Sequence, residues 1–397
     1  MRADQRLDIT RLQVERALDG AEQHLESEKL RGFDPYDGLS SPLFALPGLR
    51  SQRMLRFGAQ QLVKRSPWNL RGLLRIRKQL NPVSVGLYLQ GQAHRAHCRP
   101  SSRQRRCDRG TEAVQCLAAT VSPGYSGSCW GYPFDWETRH GPIPAGTPTV
   151  VATGMIANSL WLAHEHLGLW PAAELVLDAA EFVMCDLQRV RGDEGTFCWT
   201  YSPSSQQAVL NATLKGSRLL AQAHALGGRG ELLQAAADSV AFVLAHQLPS
   251  GAWPYSLADP RRDNFHTGYV LECLRTYREL SRDRSADEAI ERGWLYYRSR
   301  FFTDALVPKY YDDRIEPLDA TACAQAIITL CEFGDLKGAA AVARAAIELL
   351  GREDGSFAYQ RRGRRTVSTP FLRWSTAWMY CALSRLSAAI VSAPGSG

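Results

Sequence analysis

The chain has 397 residues, 45% of them hydrophobic and 22% charged, and its formal net charge is +7. These proportions exclude a disordered or fibrous chain and suit a folded, water-exposed protein. The excess base is modest and gathers at residues 94–109 and 361–365, whereas a nucleic-acid footprint needs a basic stripe on one face.

Residues 8–29 set Ile9, Leu12, Val14, Ala17 and Leu18 at helical spacing. The first twenty residues lack the apolar stretch of a secretory signal. A loop dense in turn formers follows, Gly32-Phe-Asp-Pro-Tyr-Asp-Gly-Leu-Ser-Ser-Pro42. Residues 50–64 and 70–80 read as short helices, and a third begins near Val83. Residues 92–115 break the pattern, being rich in arginine and almost free of large apolar side chains. They read either as a solvated basic insertion or as a stretch translated out of frame, and loose packing is expected there.

From residue 149 the pattern becomes regular. Helices are predicted at 149–168 and 171–189, 206–226 and 230–247, 265–281 and 285–299, 317–333 and 335–351, with a last one at 370–390. Within a pair the connection is short, as in Gly168-Leu-Trp-Pro171, Gly227-Gly-Arg-Gly230 and Gly334-Asp335. The tail from Ser392 reads as frayed. No run approaches the ~20 apolar residues of a membrane span.

Between pairs the connections are longer and carry glycine and aromatic residues. These segments are Gly127-Ser-Cys-Trp-Gly-Tyr-Pro-Phe134, Gly195-Thr-Phe-Cys-Trp-Thr-Tyr201, Gly251-Ala-Trp-Pro-Tyr255, Val307-Pro-Lys-Tyr-Tyr311 and Gly355-Ser-Phe-Ala-Tyr359. Their period of roughly 45–70 residues marks an array of supersecondary units. Short and long connections in alternation predict an all-α fold, an (α/α)6 toroid of helical hairpins. Its aromatic loops would lie on one face, and the first and last helices would pair to close the ring. One domain over 1–397 is expected, with N-terminal hairpins over 8–120 and a regular array over 121–390.

Four clusters could carry chemistry. Asp135 and Glu137 lie two apart in an extended stretch, so both could face one cavity together with Arg139, with His140 beside them. Paired carboxylates are the usual equipment for glycosidic cleavage, and Arg139 could hold an anionic sugar. An ion pair that ties down a long loop is the other reading. His266 falls in the first turn of an inner helix that Asp263 or Asn264 would cap. It is a candidate general acid or base, or a plain hydrogen-bonding residue.

Lys309 and Tyr310 precede Tyr311, Asp312 and Asp313, whose tandem aspartates suit a turn or cap better than an incomplete metal–diphosphate motif. Arg373 and Trp374 open the last helix. The helix dipole disfavours an arginine there, so an anionic ligand, or Asp135 or Glu137 across the ring, is expected to hold it. Trp378 reads as core.

Trp130, Tyr132, Trp199, Tyr201, Trp253, Tyr255, Tyr310 and Tyr359 are expected around the mouth. Trp199, Trp253 and Phe357 read as plugs that seal hairpin ends, while the hydroxyls of Tyr132, Tyr201 and Tyr255 leave a binding role open. The ten cysteines show no CxxC pair. Cys185, Cys273, Cys323, Cys331 and Cys381 read as reduced core residues, which favours the cytoplasm. No cofactor or metal is expected, a zinc site from Cys129 and His266 being the weakest reading.

Leu350-Gly-Arg-Glu-Asp-Gly-Ser-Phe357 and Gln247-Leu-Pro-Ser-Gly-Ala-Trp253 resemble the QxxDGSW repeat of α/α toroids: terpene cyclases, protein prenyltransferases and six-hairpin glycosidases. The strings GFDPYDGLSSP, SPGYSGSCWGYPFDWETR, PAGTPTVVATG and DNFHTGYVLECL resemble toroid proteins found among bacterial capsule and surface-polysaccharide genes. The resemblance implies a protein that binds a glycan, or hydrolyses, eliminates or epimerises it, in the toroid mouth. It implies sugar-containing partners and association with polysaccharide-assembly proteins. An isoprenoid-handling toroid and a non-catalytic glycan-binding scaffold are the alternatives.

Overall fold

The computed structural model describes residues 3–98, 102–138 and 141–392. In chain order the helices are α1 (Ala3–Ser27), α2 (Pro47–Arg50), α3 (Arg53–Arg65), α4 (Pro82–Cys98), α5 (Arg103–Ala119), α6 (Val150–Leu167), α7 (Trp170–Glu181), α8 (Leu210–Gly227), α9 (Gly230–Ala245), α10 (Asn264–Ser281), α11 (Asp287–Arg300), α12 (Ala320–Glu332), α13 (Leu336–Leu350) and α14 (Ala377–Val391). Helices α4, α6, α8, α10, α12 and α14 form the inner ring. Each packs on the next, and α14 meets α4 to close the circle. Helices α5, α7, α9, α11 and α13 pack outside, and α1 covers α14, so the first and last helices share a hairpin. The toroid is the fold expected from the sequence.

Composition explains which helix goes inside. All of Ala320–Cys331 in α12 and Leu210–Ala223 in α8 is buried, as befits helices without a continuous charged face. The outer α13 buries only one stripe, Gly338, Ala339, Ala340, Val342, Ala343, Ala346 and Leu350. Inner helices approach closely where they carry glycine. A Cβ on Gly154 of α6 would come within 2.7 Å of the Lys215 carbonyl oxygen in α8.

The connections follow one wiring rule. The backbone carbonyls of four repeat tyrosines accept the N–H that opens the inner helix of the preceding unit, while that of Tyr132 accepts from the Gly146 N–H (2.8 Å). The pairs are Val150 to Tyr201 (3.0 Å), Leu210 to Tyr255 (3.3 Å), Asn264 to Tyr310 (3.0 Å) and Ala320 to Tyr359 (3.1 Å). Leu372 donates to the Phe33 carbonyl in the same way (3.2 Å), which makes the loop after α1 the sixth segment. The short sheets all lie within or between connections, for example Trp136–Thr138 with Gly141–Ile143 and Arg189–Arg191 with Phe197–Trp199. Trp130 and Trp253 seal hairpins by donating their indole N–H to the carbonyls of Leu117 and Val243.

Three expectations are corrected. Residues 70–80 form turns and a short strand, Gln79–Leu80, instead of a helix. The described residues of 92–115 are neither an inserted loop nor loosely packed. They complete α4 and build most of α5, with Ala93, Ala96, Ala113 and Val114 in the core. Two of their arginines, Arg95 and Arg106, turn inward because α1 offers a buried acid. Glu22 accepts from Arg95 (2.7 Å), Gln92 (2.8 Å), Tyr380 (3.1 Å) and Arg106. Burial pushes the Glu22 carboxyl up, but Arg95 and Arg106 outweigh it and hold the group below the usual range. Finally, Cys185 is exposed, while Cys273, Cys323, Cys331 and Cys381 are buried. No described helix is long and apolar enough to cross a membrane.

Asp319 caps α12 by accepting the Ala322 N–H (3.0 Å), and also accepts from Gln360 (2.6 Å). Burial pushes its carboxyl up to about 6. The folded protein therefore keeps a proton that the unfolded chain releases near 3.8. This group's contribution to stability is full below about pH 4 and is lost as pH rises through about 6, on the order of 3 kcal/mol. Asp319→Asn keeps the cap and removes the titration. Melting curves from pH 4 to 7 are expected to show the wild type losing stability relative to the variant; parallel curves would disprove the assignment.

Candidate functional site

At the end of the ring where the inner helices begin, the connections enclose a cavity of about 250 Å³. The aromatic segments build it. In three of them a tryptophan precedes a tyrosine by two residues: Trp130 and Tyr132, Trp199 and Tyr201, and Trp253 and Tyr255. The first of each pair is buried as a plug, and the second lines the cavity. Tyr310 lines it from the fourth segment. Trp199 and Phe357 are buried plugs as expected, but Trp130 and Tyr359 are buried as well and do not reach the mouth. Burial pushes up the phenols of Tyr132, Tyr201, Tyr255 and Tyr310. They stand as neutral hydroxyls, able both to donate and to accept.

Among these rings sits one acid–base pair. Asp263 is the N-cap of α10, and one carboxylate oxygen accepts the His266 backbone N–H at 2.9 Å. The other lies 2.7 Å from Nδ1 of the same histidine. A carboxylate can only accept here, so the proton belongs on Nδ1, and Nε2 is left as the basic nitrogen. The ring is wedged between Phe265 and Tyr255, whose centroids lie 4.2 and 4.7 Å away. Tyr269, one helical turn further on, stacks on Trp378 to form the floor. Beneath it, Lys215 lies 3.7 Å from the Tyr269 ring centre, and desolvation pushes its ammonium down to about 8.

Arg373 forms the opposite wall. Its charge is met by Asp34, with contacts of 2.6 and 2.9 Å, and its guanidinium lies 4.4 Å over the Tyr132 ring. The expected partners, Asp135 or Glu137, are not the ones that hold it. Two buried donors beside the cavity have no acceptor in the described structure, Nδ2 of Asn211 and the indole nitrogen of Trp374.

The carboxylates expected to face the cavity do not line it. Glu137 is buried against Arg56 at 2.8 Å, and its backbone is held on both sides by Gln60. Asp135 is half exposed, accepts the Ala145 N–H at 2.8 Å, and lies 3.7 Å from Arg56. The two do share a side, as their spacing predicts, but the cation of α3 occupies that side. Arg139 and His140 lie outside the described residues. Asn264 is buried, accepting from Tyr297 at 2.7 Å and donating to the Phe301 carbonyl. Lys309 is half-buried and absent from the lining. Asp312 pairs with Arg262 and Tyr296, in the turn role expected of it. Cys129 is buried on the Ser122 carbonyl, away from His266.

Several lining residues escaped the sequence. Tyr36 lies in the turn-rich loop after α1, which the sequence reading does not count among the aromatic segments; its hydroxyl accepts from Lys64 at 2.6 Å, and its ring meets Trp136 and Trp374 edge-on. Arg261, ion-paired with Asp259, had no motif. Tyr269 could have been found from its three-residue spacing to His266 on one helix face.

No protein-family model matches the chain, and no curated protein matches it. Solved structures do. The unsaturated glucuronyl hydrolase specific for heparin superposes with a TM-score of 0.63 at 10% identity, over 96% of this chain and 97% of that one. The unsaturated glucuronyl hydrolase of Bacillus sp. GL1 gives 0.60 at 12%, over 94% and 95%. Cellobiose 2-epimerase from Bacillus thermoamylovorans gives 0.60 at 8%, over 80% and 90%. At such identities the likeness establishes the (α/α)6 toroid fold.

Proposed function

We propose that the protein is a carbohydrate-active enzyme that moves a proton on a sugar held in this cavity. The observation that carries the reading is the Asp263–His266 pair, a base with a fixed tautomer set in a chamber of tyrosines. Asp263 is the sole carboxylate among the described lining residues, and it is engaged with His266 and the start of α10. Two-carboxylate hydrolysis needs a second one. Epimerisation or elimination needs instead one base, and donors for the oxygen that gains charge and, in epimerisation, for the opposite face of the carbon. His266 supplies the first; Asn211, Trp374 and the tyrosine hydroxyls supply the second. The chamber is smaller than the ~300–1,000 Å³ of drug-sized sites, which suits one sugar unit better than an extended chain. A long isoprenoid would find charged and hydroxylated walls. The named solved structures act on sugars, which supports the same class. The capsule-gene resemblance of the GFDPYDGLSSP string supports surface polysaccharides as the source of the sugar, and the buried free cysteines support the cytoplasm as the place.

The test is incubation with uronate-containing and neutral oligosaccharides in D₂O, followed by mass spectrometry. Deuterium in an otherwise unchanged sugar identifies an epimerase, and an unsaturated end an eliminase. Products that only gain water, or no product from any sugar, would refute proton transfer.

A further inference from the structure

From Gly38 to Cys107 the chain contains no aspartate or glutamate, and residues 42–78 carry nine arginines and lysines. The same stretch exposes Leu43, Leu46, Met54, Leu55, Leu62, Trp68 and Leu73. That is half of the fourteen exposed large hydrophobic residues in the described structure. Met54, Trp68 and Leu73 are each more than 75% exposed (83%, 76% and 83%).

Helix α3 shows how this arises. It is amphipathic but turned inside out. Arg56, Gln60 and Val63 face inward, because Glu137 and its backbone need the first two. Met54, Leu55, Leu62 and Arg65 share the opposite face by helical periodicity and stand in solvent. Arg75 and Arg77 are exposed further along. The inner face of α3 grips the strand that carries Trp136, and Lys64 holds Tyr36. Trp136 and Tyr36 are cavity walls. The apolar, basic face is therefore the outside of the same wall.

We propose that this lobe docks the protein on an anionic membrane surface, with the cavity mouth beside the lipid headgroups. Charge and apolarity select the occupant together. Nucleic acid would use the cations but gain nothing from exposed leucine and methionine. An acidic lipid surface uses both, since aliphatic and indole side chains enter the headgroup boundary while arginines meet the lipid charge. Large exposed apolar area on a monomer marks such contacts.

The test is co-sedimentation of the full chain with phosphatidylcholine vesicles, with and without phosphatidylglycerol, and with a short DNA duplex as competitor. Binding is expected only to the anionic vesicles, falling as salt is added, with a blue shift of tryptophan emission. The Trp68→Ser/Leu73→Ser double variant should bind about tenfold or more weakly. Arg65→Ser and Arg75→Ser should each cost roughly fivefold. All these sites are exposed, and unchanged melting temperatures would show that the variants fold. Failure to bind anionic vesicles, equal binding to neutral ones, or displacement by the duplex would each overturn the proposal. None of these readouts depends on turnover, so the assignment of His266 stands or falls separately.

Discussion

Replacing His266 with glutamine is expected to reduce turnover of any sugar the protein converts by about 10²–10⁴-fold, the usual worth of a positioned general base. The change should leave the fold intact. The cap of α10 depends on the backbone N–H of residue 266 and the Asp263 carboxylate, and both survive. Glutamine can fill the slot between Phe265 and Tyr255 but cannot take up a proton. Asp263→Asn should also lower the rate, for a different reason. Its amide can present an N–H to Nδ1 and favour the wrong tautomer, so the pH–rate profile should change along with the rate. Steady-state rates across pH, set against melting temperatures, separate the two effects. If His266→Gln retained full turnover, the site would have to be sought elsewhere in the ring.

The largest stability loss is expected from Asp34→Asn. Asp34 and Arg373 have side chains only 5% exposed. Removing one charge of such a pair strands the other in a dry environment and costs about 3–5 kcal/mol. The arginine is further committed by its place over Tyr132 and against Trp374, so it cannot swing out to water without opening the cavity wall. Adding Arg373→Met to Asp34→Asn should recover part of the loss, since the stranded charge is gone. Arg373→Lys should not rescue function, because an ammonium cannot reproduce the planar two-point contact. Urea unfolding of the three variants gives the comparison, and a single variant as stable as the wild type would show that the pair is not dry.

The fold was legible because its signals are local and repeated. Inner helices α6, α8, α10 and α12 fall within a few residues of their expected bounds, with Gly168 and Gly228 as left-handed caps, while α14 starts seven residues later than expected. Residues 92–115 misled because arginine reads as solvent-facing; only the distant Glu22 explains why Arg95 and Arg106 point inward. The same blindness to remote partners affected the site. Spacing correctly put Asp135 and Glu137 on one side, but nothing in their neighbourhood reveals that Arg56 is waiting there. Asp34, which holds Arg373, lies 339 residues away in sequence. His266, Tyr132, Tyr201, Tyr255 and Tyr310 could be placed because their own local pattern, a cap or a place in a repeated aromatic segment, marks them.

Joining α1 to α14 in one hairpin has a mechanical consequence. A linear stack of repeats has two ends and can fray from either, one unit at a time. A hoop has no end to fray. It is shut at one seam, where Glu22 of the first helix meets Tyr380 of the last and Arg95 and Arg106 of the first inner-outer pair. Opening that seam uncovers the flanks of α14 and α4 together, so partial opening gains little chain freedom for much lost contact. Rupture should therefore start at the seam and run through the whole hoop in one step.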